Sequence, residues 1–255
     1  MTNDLSVTCS GQGEALILIH GWGMNASVFG PLCEILNRHG QIYRVDLPGY
    51  GDSRWNAALS FEDQAAQIAA QIPQGILIGW SMGGLYATEM LRQNPGQFER
   101  LILISSNPCF VQRPDWNCAV KQAVFDEFAR DLDRGWAATI RRFLSLQMHG
   151  HKNARQLIRD LMVQLQKAGE PDVQALKFGL DLLKNKDVRP ILTDCEIPIQ
   201  MILGQCDALI PSSLAKEIGK VNERIQVESI ATAAHVPFLS HTELIASMIV
   251  RNKTG

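Results

Sequence analysis

GILIGWSMGG, residues 75–84, is the stretch on which the reading of this chain turns. An apolar run, GILI, leads directly to a serine that has glycines two residues before it and two after. Two accounts of the pattern compete. A turn from strand into helix sharp enough to expose Ser81 drives its backbone towards an uncommon conformation, and Gly79 and Gly83, lacking a Cβ, make room for it. Alternatively, the small residues only let a helix lie close against a sheet. G-x-S-x-G is short, so the rest of the chain has to decide between a nucleophile and a packing element.

Outward from this stretch, short runs rich in Leu, Ile and Val recur: ALILI (15–19), IYRV (42–45), ILI (76–78), LILI (101–104), IQMIL (199–203) and IQVESI (225–230). Each is bounded by Gly, Pro or Asn and is mostly apolar on both faces, as strands of a parallel sheet covered on both sides are. Helix-like segments such as SFEDQAAQIAAQI (60–72) and GLYATEMLRQN (84–94) lie between them. Strand alternating with helix predicts an α/β fold. The alternation stops between residues 109 and 190, where DEFARDLDRGWAATIRRFLSLQ and NARQLIRDLMVQLQKAG read as amphipathic helices between proline-containing joints. The expected organisation is a core built from 1–108 and 191–255, with 109–190 inserted as a helical cap over one end of the sheet.

Composition sets outer limits. The 255 residues, 46% hydrophobic and 20% charged, suit an ordinary globular protein with a sizeable core. A net charge of −2 gives no overall bias towards nucleic acid or a membrane surface. The N-terminal stretch MTNDLSVTCSGQG has no basic region followed by an apolar one, and no apolar run approaches the length that spans a bilayer. Cys9, Cys33, Cys109, Cys118, Cys195 and Cys206 are scattered without a C-x-x-C, which favours free thiols in a reducing cytoplasm. No metal spacing, dinucleotide fingerprint or phosphate loop occurs, so no cofactor or metal is expected.

A serine hydroxyl becomes a good nucleophile only beside a base that an acid orients. In an open α/β sheet these groups belong at the carboxyl ends of strands. Asp207 follows the run IQMIL, and His235 lies in TAAHVPF just beyond IQVESI. The order Ser81, Asp207, His235 is the one expected of an α/β-hydrolase. Among competitors, His241 belongs with the final helix, and His149 and His151 fall in the cap, far from any strand end. Asp46, in DLPGYGDS, suits turn-building. Donors for a developing oxyanion are expected from the amide of Met82 and from the HGWGMN loop (20–25), where Trp22 is the candidate. The competing account of that loop is a tight turn with a packed aromatic.

HGWGMN, DLPGYGDS, GWSMGG, GQCDALIP and AAHVPFLSH resemble the α/β-hydrolase superfamily over essentially the whole chain. More narrowly, SSNPCF and RFLSLQ, together with HGWG, VDLPGYG and AAHVPFLSH, are similar to the pimeloyl-acyl carrier protein methyl ester esterases of biotin synthesis. That resemblance implies a serine carboxylesterase. It also implies an acyl site lined by Trp22, Ser81, Met82, the stretch Phe143, Leu144, Ser145, Leu146 and Gln147, and His235. Read from the residues alone, Phe143, Leu144 and Leu146 are as well explained as the core side of a cap helix.

The cap's charge stands out without any family. Residues 109–190 carry 14 basic and 10 acidic residues, a net of +4 against −6 elsewhere. Six basic residues and no acidic one fall between Arg134 and Arg159, and Arg155 and Arg159 share a helix face. A solvated helix face would account for the run. A basic cap over an active site also suits a large acidic partner, and acyl carrier protein is such a partner. Arg142, Arg155 and Arg159 are its expected contacts. Ala138 stands where the resemblance leads one to expect an arginine, with Arg141 three residues on. Two rival activities fit the same scaffold, a general short-chain esterase and a C–C bond hydrolase. A rival of another class is a hydrolase fold without catalysis, used for binding. A monomer without nucleic-acid or membrane partners is expected.

Overall fold

The apolar runs become strands because each is too short for a helix and is flanked by turn formers. The computed structural model describes residues 5–132, 135–148, 154–167 and 169–251. In chain order the first half comprises β1 (Val7–Gly11), β2 (Ala15–Ile19), a 3-10 turn (Ala26–Phe29), α1 (Gly30–Leu36), β3 (Gln41–Val45), α2 (Phe61–Ala69), β4 (Gly75–Trp80), α3 (Gly83–Gln93) and β5 (Phe98–Ile104). Helices α4 (Gln122–Leu132), α5 (Trp136–Gln147), α6 (Ala154–Lys167), α7 (Val173–Asn185) and α8 (Arg189–Thr193) follow without an intervening strand. The chain then returns to the sheet with β6 (Ile199–Gly204), α9 (Leu214–Val221), β7 (Ile225–Ile230), α10 (Pro237–Ser240) and α11 (Thr242–Arg251).

The seven strands form one sheet in the order β1-β3-β2-β4-β5-β6-β7. Only β1 runs antiparallel, against β3; the other pairings are parallel. Every residue of β2, β4 and β6 is buried, so helices cover both faces and the strands read as unbroken apolar runs. Strand β1 was not among the expected ones. Its sequence, VTCSG, lies at the sheet edge with no fully buried residue, and an edge strand needs no apolar run.

Local signals fix the helix ends. Ser60 and Asp63 form a capping box at the start of α2, and the Asp172 carboxylate accepts the Gln174 amide at 2.7 Å at the start of α7. The segment that reads as one long helix from Asp126 is two helices, α4 and α5, with Gly135 at φ 153° capping the second.

The two ends of the helical segment meet. Val188 donates its amide to the Pro108 carbonyl at 2.9 Å. Arg189 pairs with Asp187 at 2.7 Å and with Asp115 at 2.9 Å, and its guanidinium lies 4.8 Å from the centre of the Trp116 ring. Ion pairs and a cation–π contact thus tie the entry loop to the exit of the segment.

Candidate active site

The GWSMGG stretch is a sharp turn from strand into helix. Ser81 sits between β4 and α3 with φ 54°, one of two non-glycine residues in the left-handed region among those described. Such a conformation costs a side-chain-bearing residue about 1–2 kcal/mol and needs a surrounding structure that enforces it. Here that structure is close packing. A Cβ on Gly79 would lie 2.5 Å from the Gly84 Cα, and one on Gly83 would lie 2.7 Å from the His20 carbonyl oxygen. The glycines let helix, strand and the loop after β2 converge. The Ser81 amide donates to Ile104 at 3.0 Å, and its carbonyl accepts the Ser106 hydroxyl at 2.8 Å.

His235 lies in the loop after β7 and is fully buried. Its Nε2 is 3.0 Å from Ser81 Oγ, and its Nδ1 is 2.8 Å from Asp207 Oδ2. Asp207, in the loop after β6, has a side chain 1% exposed. Its other oxygen, Oδ1, accepts the amides of Leu209 at 2.8 Å and Ile210 at 2.9 Å. A carboxylate can only accept from Nδ1, so the ring carries its proton there and turns an Nε2 lone pair towards the serine. The His235 backbone is held as well, since its amide donates to Gln147 at 3.2 Å and its carbonyl accepts the Trp80 indole N–H at 2.9 Å.

Trp22 and Met82 are both buried. Neither backbone amide has an acceptor among the described residues, a condition that buried N–H groups rarely tolerate without a use. The Trp22 ring is itself fixed: its Nε1 donates to the Leu176 carbonyl at 2.8 Å, and it meets Phe128 and Phe143 edge to face. Behind this loop lies His20. Its Nδ1 is 2.8 Å from the Gly21 carbonyl and its Nε2 accepts the Leu47 amide at 3.0 Å. Burial lowers the His20 pKa below the ordinary histidine value, against the opposing pull of Asp46 and the Gly21 carbonyl.

Ser81 opens into a narrow cavity of about 80 Å³ whose other walls are apolar, chiefly Phe110, Phe125, Phe128, Phe143 and Leu146. Val124 and Leu146, both exposed, stand at its rim. Helical phase divides the expected stretch 143–147. Phe143 and Leu146, three apart, face the cavity, while Leu144 is fully buried and is not part of the wall. Ser145 is exposed and donates to the Arg141 carbonyl at 2.9 Å. Gln147 is 1% exposed, and both polar atoms of its side chain lack a partner. Phe125 and Phe128 were not anticipated, although their spacing of three on an amphipathic helix was a usable signal. A larger groove, about 520 Å³, lies between the end of α3 and α8, but it touches none of these groups.

The competing residues lie elsewhere. His241 bonds with Thr232 at 2.9 Å and Ser240 at 2.8 Å between α10 and α11. Asp46 builds its turn, accepting the Ala26 amide at 2.7 Å and the Asp52 amide at 3.2 Å. Arg142 is paired with Asp131 and lies 3.7 Å from Glu127, both on α4. Arg155 and Arg159 are exposed on α6, where Arg159 donates to Gln156 at 2.8 Å. Ala138 and Arg141 are both exposed on α5. Arg134, His149, His151 and Lys152 lie outside the described residues. All six cysteines are free thiols. Among the described residues, no helix is long and apolar enough to cross a membrane, and no cluster of side chains could hold a metal ion.

A sheet of this order, with a serine elbow after β4 and an acid and a histidine after β6 and β7, defines a class. The chain belongs to the alpha/beta hydrolase family, whose model matches residues 16–248. Within that class it is similar to curated proteins named pimeloyl-[acyl-carrier protein] methyl ester esterase. One from Xanthomonas oryzae pv. oryzae is 38% identical over 242 residues, which is 94% of this chain and 95% of the relative. One from Salmonella paratyphi A is 35% identical over 255 residues, 99% of each. In fold the chain is similar to an esterase from Exiguobacterium antarcticum, with a TM-score of 0.87 at 20% identity over 97% of this chain and 94% of that one.

Proposed function

We propose that this chain is a serine carboxylesterase that hydrolyses the methyl ester of a pimeloyl chain carried on acyl carrier protein, freeing the carboxylate for biotin synthesis. The observation that carries the proposal is the continuous relay from Asp207 through His235 to Ser81 at the wall of a narrow apolar cavity. The full-length relatives bearing the esterase name support the choice of substrate.

The chemistry follows from the geometry. His235 Nε2 takes the Ser81 proton as Oγ attacks the ester carbonyl, and Asp207 balances the imidazolium that forms. The amides of Trp22 and Met82 receive the negative oxygen of the tetrahedral intermediate. His235 then gives its proton to the departing methoxide, which leaves as methanol with the acyl group on Ser81. Water, deprotonated by the same histidine, attacks that ester; as the bond from the acyl carbon to Ser81 Oγ breaks, His235 returns the proton to Oγ, and the pimeloyl carboxylate departs. The aromatic walls suit an unbranched methylene chain, and Phe143, Leu146 and Gln147 are the residues of α5 assigned to it.

The carrier protein is assigned to the cap. Since Arg142 is already engaged by acids of α4, the exposed pair Arg155 and Arg159 on α6 is the better contact for an acidic partner. We take the enzyme to act as a cytoplasmic monomer. Turnover of pimeloyl-carrier methyl ester, compared with free methyl and p-nitrophenyl esters, tests the reading. A wild type that hydrolyses the carrier-bound ester, with Ser81→Ala inert and unlabelled by a fluorophosphonate, is expected. Hydrolysis of free esters alone would make this a general esterase, and hydrolysis of neither would make it a binding module.

A further inference from the structure

We infer that Gly179, on the cap helix α7, is a positioning residue for the oxyanion site, acting through the side chain of Trp22. The inference rests on the esterase reading above, because it explains how one of that reading's two backbone donors is held in place. Trp22 lies in a turn between Gly21 and Gly23 that Met24 closes by donating its amide to the Gly21 carbonyl at 3.3 Å, with Gly23 at φ 73°. The long 3.3 Å bond holds that turn only loosely, and the Trp22 side chain adds a second hold.

Among the described residues, the ring's aromatic and hydrogen-bonding partners all come from the helical segment. Phe128 of α4 and Phe143 of α5 meet it edge to face, with centroids 5.4 and 5.2 Å away, and Leu176 of α7 accepts its indole N–H. Gly179 lies on the same helix, three residues on from Leu176. A Cβ there would stand 2.7 Å from Trp22 Cδ1, 2.9 Å from the Tyr50 hydroxyl oxygen and 3.0 Å from Met82 Sδ. Two of those three neighbours, Trp22 and Met82, are the residues whose amides are assigned to the oxyanion. Glycine is a poor helix former, so an interior one needs a reason. Close approach of α7 to both oxyanion residues supplies it. The Tyr50 hydroxyl donates to the Ala175 carbonyl at 3.3 Å, which adds a second tie between α7 and the core on the same side.

The cap is therefore more than a lid over the acyl chain: it sets the position of a donor that acts on the carbonyl oxygen. A methyl group at Gly179 displaces the Trp22 ring, and the amide one bond from its Cα moves with it. A misplacement of about 1 Å in a catalytic site costs on the order of 100-fold in rate. A shift of part of that distance gives an expected loss in kcat of at least about tenfold, with KM for a short ester nearly unchanged.

The test uses Gly179→Ala and Trp22→Phe in the full chain, with p-nitrophenyl acetate as a substrate too short to depend on the acyl cavity. The indole N–H resonance of Trp22 is identified as the one missing from the spectrum of Trp22→Phe. In Gly179→Ala that resonance should shift while kcat falls at least tenfold and KM stays within about twofold. In Trp22→Phe, which keeps a ring but loses the bond to Leu176, kcat should also fall with KM steady. An unmoved resonance, or an unchanged kcat in Gly179→Ala, overturns the assignment. If Gly179→Ala fails to fold, Trp22→Phe decides: full activity in that variant means the clamp is not needed. Absence of esterase activity in the wild type would sink the functional reading, whereas the resonance shift tests the contact on its own.

Discussion

Replacing Asp207 by asparagine should disable the base without disturbing its position, and the structure dictates how. Asp207 Oδ1 accepts two backbone amides, from Leu209 and Ile210, at 2.8 and 2.9 Å. In Asp207→Asn those two donors select the amide oxygen for that site, which leaves the NH₂ group facing His235 Nδ1 at the former Oδ2 position. An NH₂ can only donate, so Nδ1 must give up its proton and become the acceptor. The ring then carries its proton on Nε2, pointing at Ser81 Oγ, and no lone pair remains to accept the serine proton. The analogous exchange in another serine hydrolase costs on the order of 10⁴ in kcat, equivalent to about 5.4 kcal/mol of transition-state stabilisation. The hydrogen-bond count and volume at residue 207 hardly change, so the thermal midpoint should move little. The assay is steady-state turnover of a p-nitrophenyl ester at pH 8, beside a thermal melt of both proteins. Asp207→Ala frees the tautomer and should be no more damaging than asparagine, although it removes more atoms. An Asp207→Asn enzyme that keeps a tenth or more of its kcat would refute the reasoning, because His235 could then not depend on this carboxylate for its tautomer.

Three further outcomes are expected. His235→Ala should abolish turnover, while His241→Ala, which loses only bonds to Thr232 and Ser240, should keep most of it; measured kcat values in the opposite order would reassign the base. Charge reversal at Arg155→Glu/Arg159→Glu should raise KM for a carrier-bound ester and flatten its salt dependence, because steering fades as the screening length falls from about 10 Å at 0.1 M salt to about 3 Å at 1 M. Free esters should be unaffected; equal losses on both substrates would mean that these arginines hold the cap together. His20 is neutral in the fold because burial lowers its pKa, so between that lowered value and about 6.5 the unfolded chain holds the extra proton. Stability should be at its full value above about pH 6.5 and fall as the pH drops below it. Urea titrations across pH 5–8 should show this part of the slope missing in His20→Gln, and an identical slope in both proteins would discount His20.

What could be read from the sequence divides along a physical line. Backbone geometry and burial leave marks in a linear pattern: β2 and β7 fall on the runs that announce them, and the serine elbow shows in its flanking glycines. Asp207 and His235 were legible because strand ends are where such a sheet presents its chemistry. Edge strand β1 was not, since only one side of it is paired and its residues need not be apolar. The break at Gly135 was missed because apolar spacing continues across it. The residues 143–147 form one stretch in sequence, but helical rotation gives them different surroundings, with Phe143 at the cavity and Ser145 in solvent. Arg142 shows the limit for charge. Its pairing with Asp131 depends on how α4 packs on α5, and no local pattern encodes that. The grip on Trp22 joins residues more than a hundred positions apart and could only be found in three dimensions.

The bond from Val188 to Pro108 has a consequence for how this scaffold can change. Because residues 108 and 188, in the connections after β5 and before β6, are in contact, the helices between them amount to a long detour that starts and ends at one place. Insertions or deletions within it should leave the pairing of β5 with β6 in place. The serine, aspartate and histidine all come from outside the detour, and the aromatic walls come largely from within it, so the relay and the lining of its cavity occupy separable stretches of sequence. A transplanted segment would meet Ser81, Asp207 and His235 on the core and would have to supply an acceptor for the His235 amide in place of Gln147. It would still have to bring its own hold on Trp22.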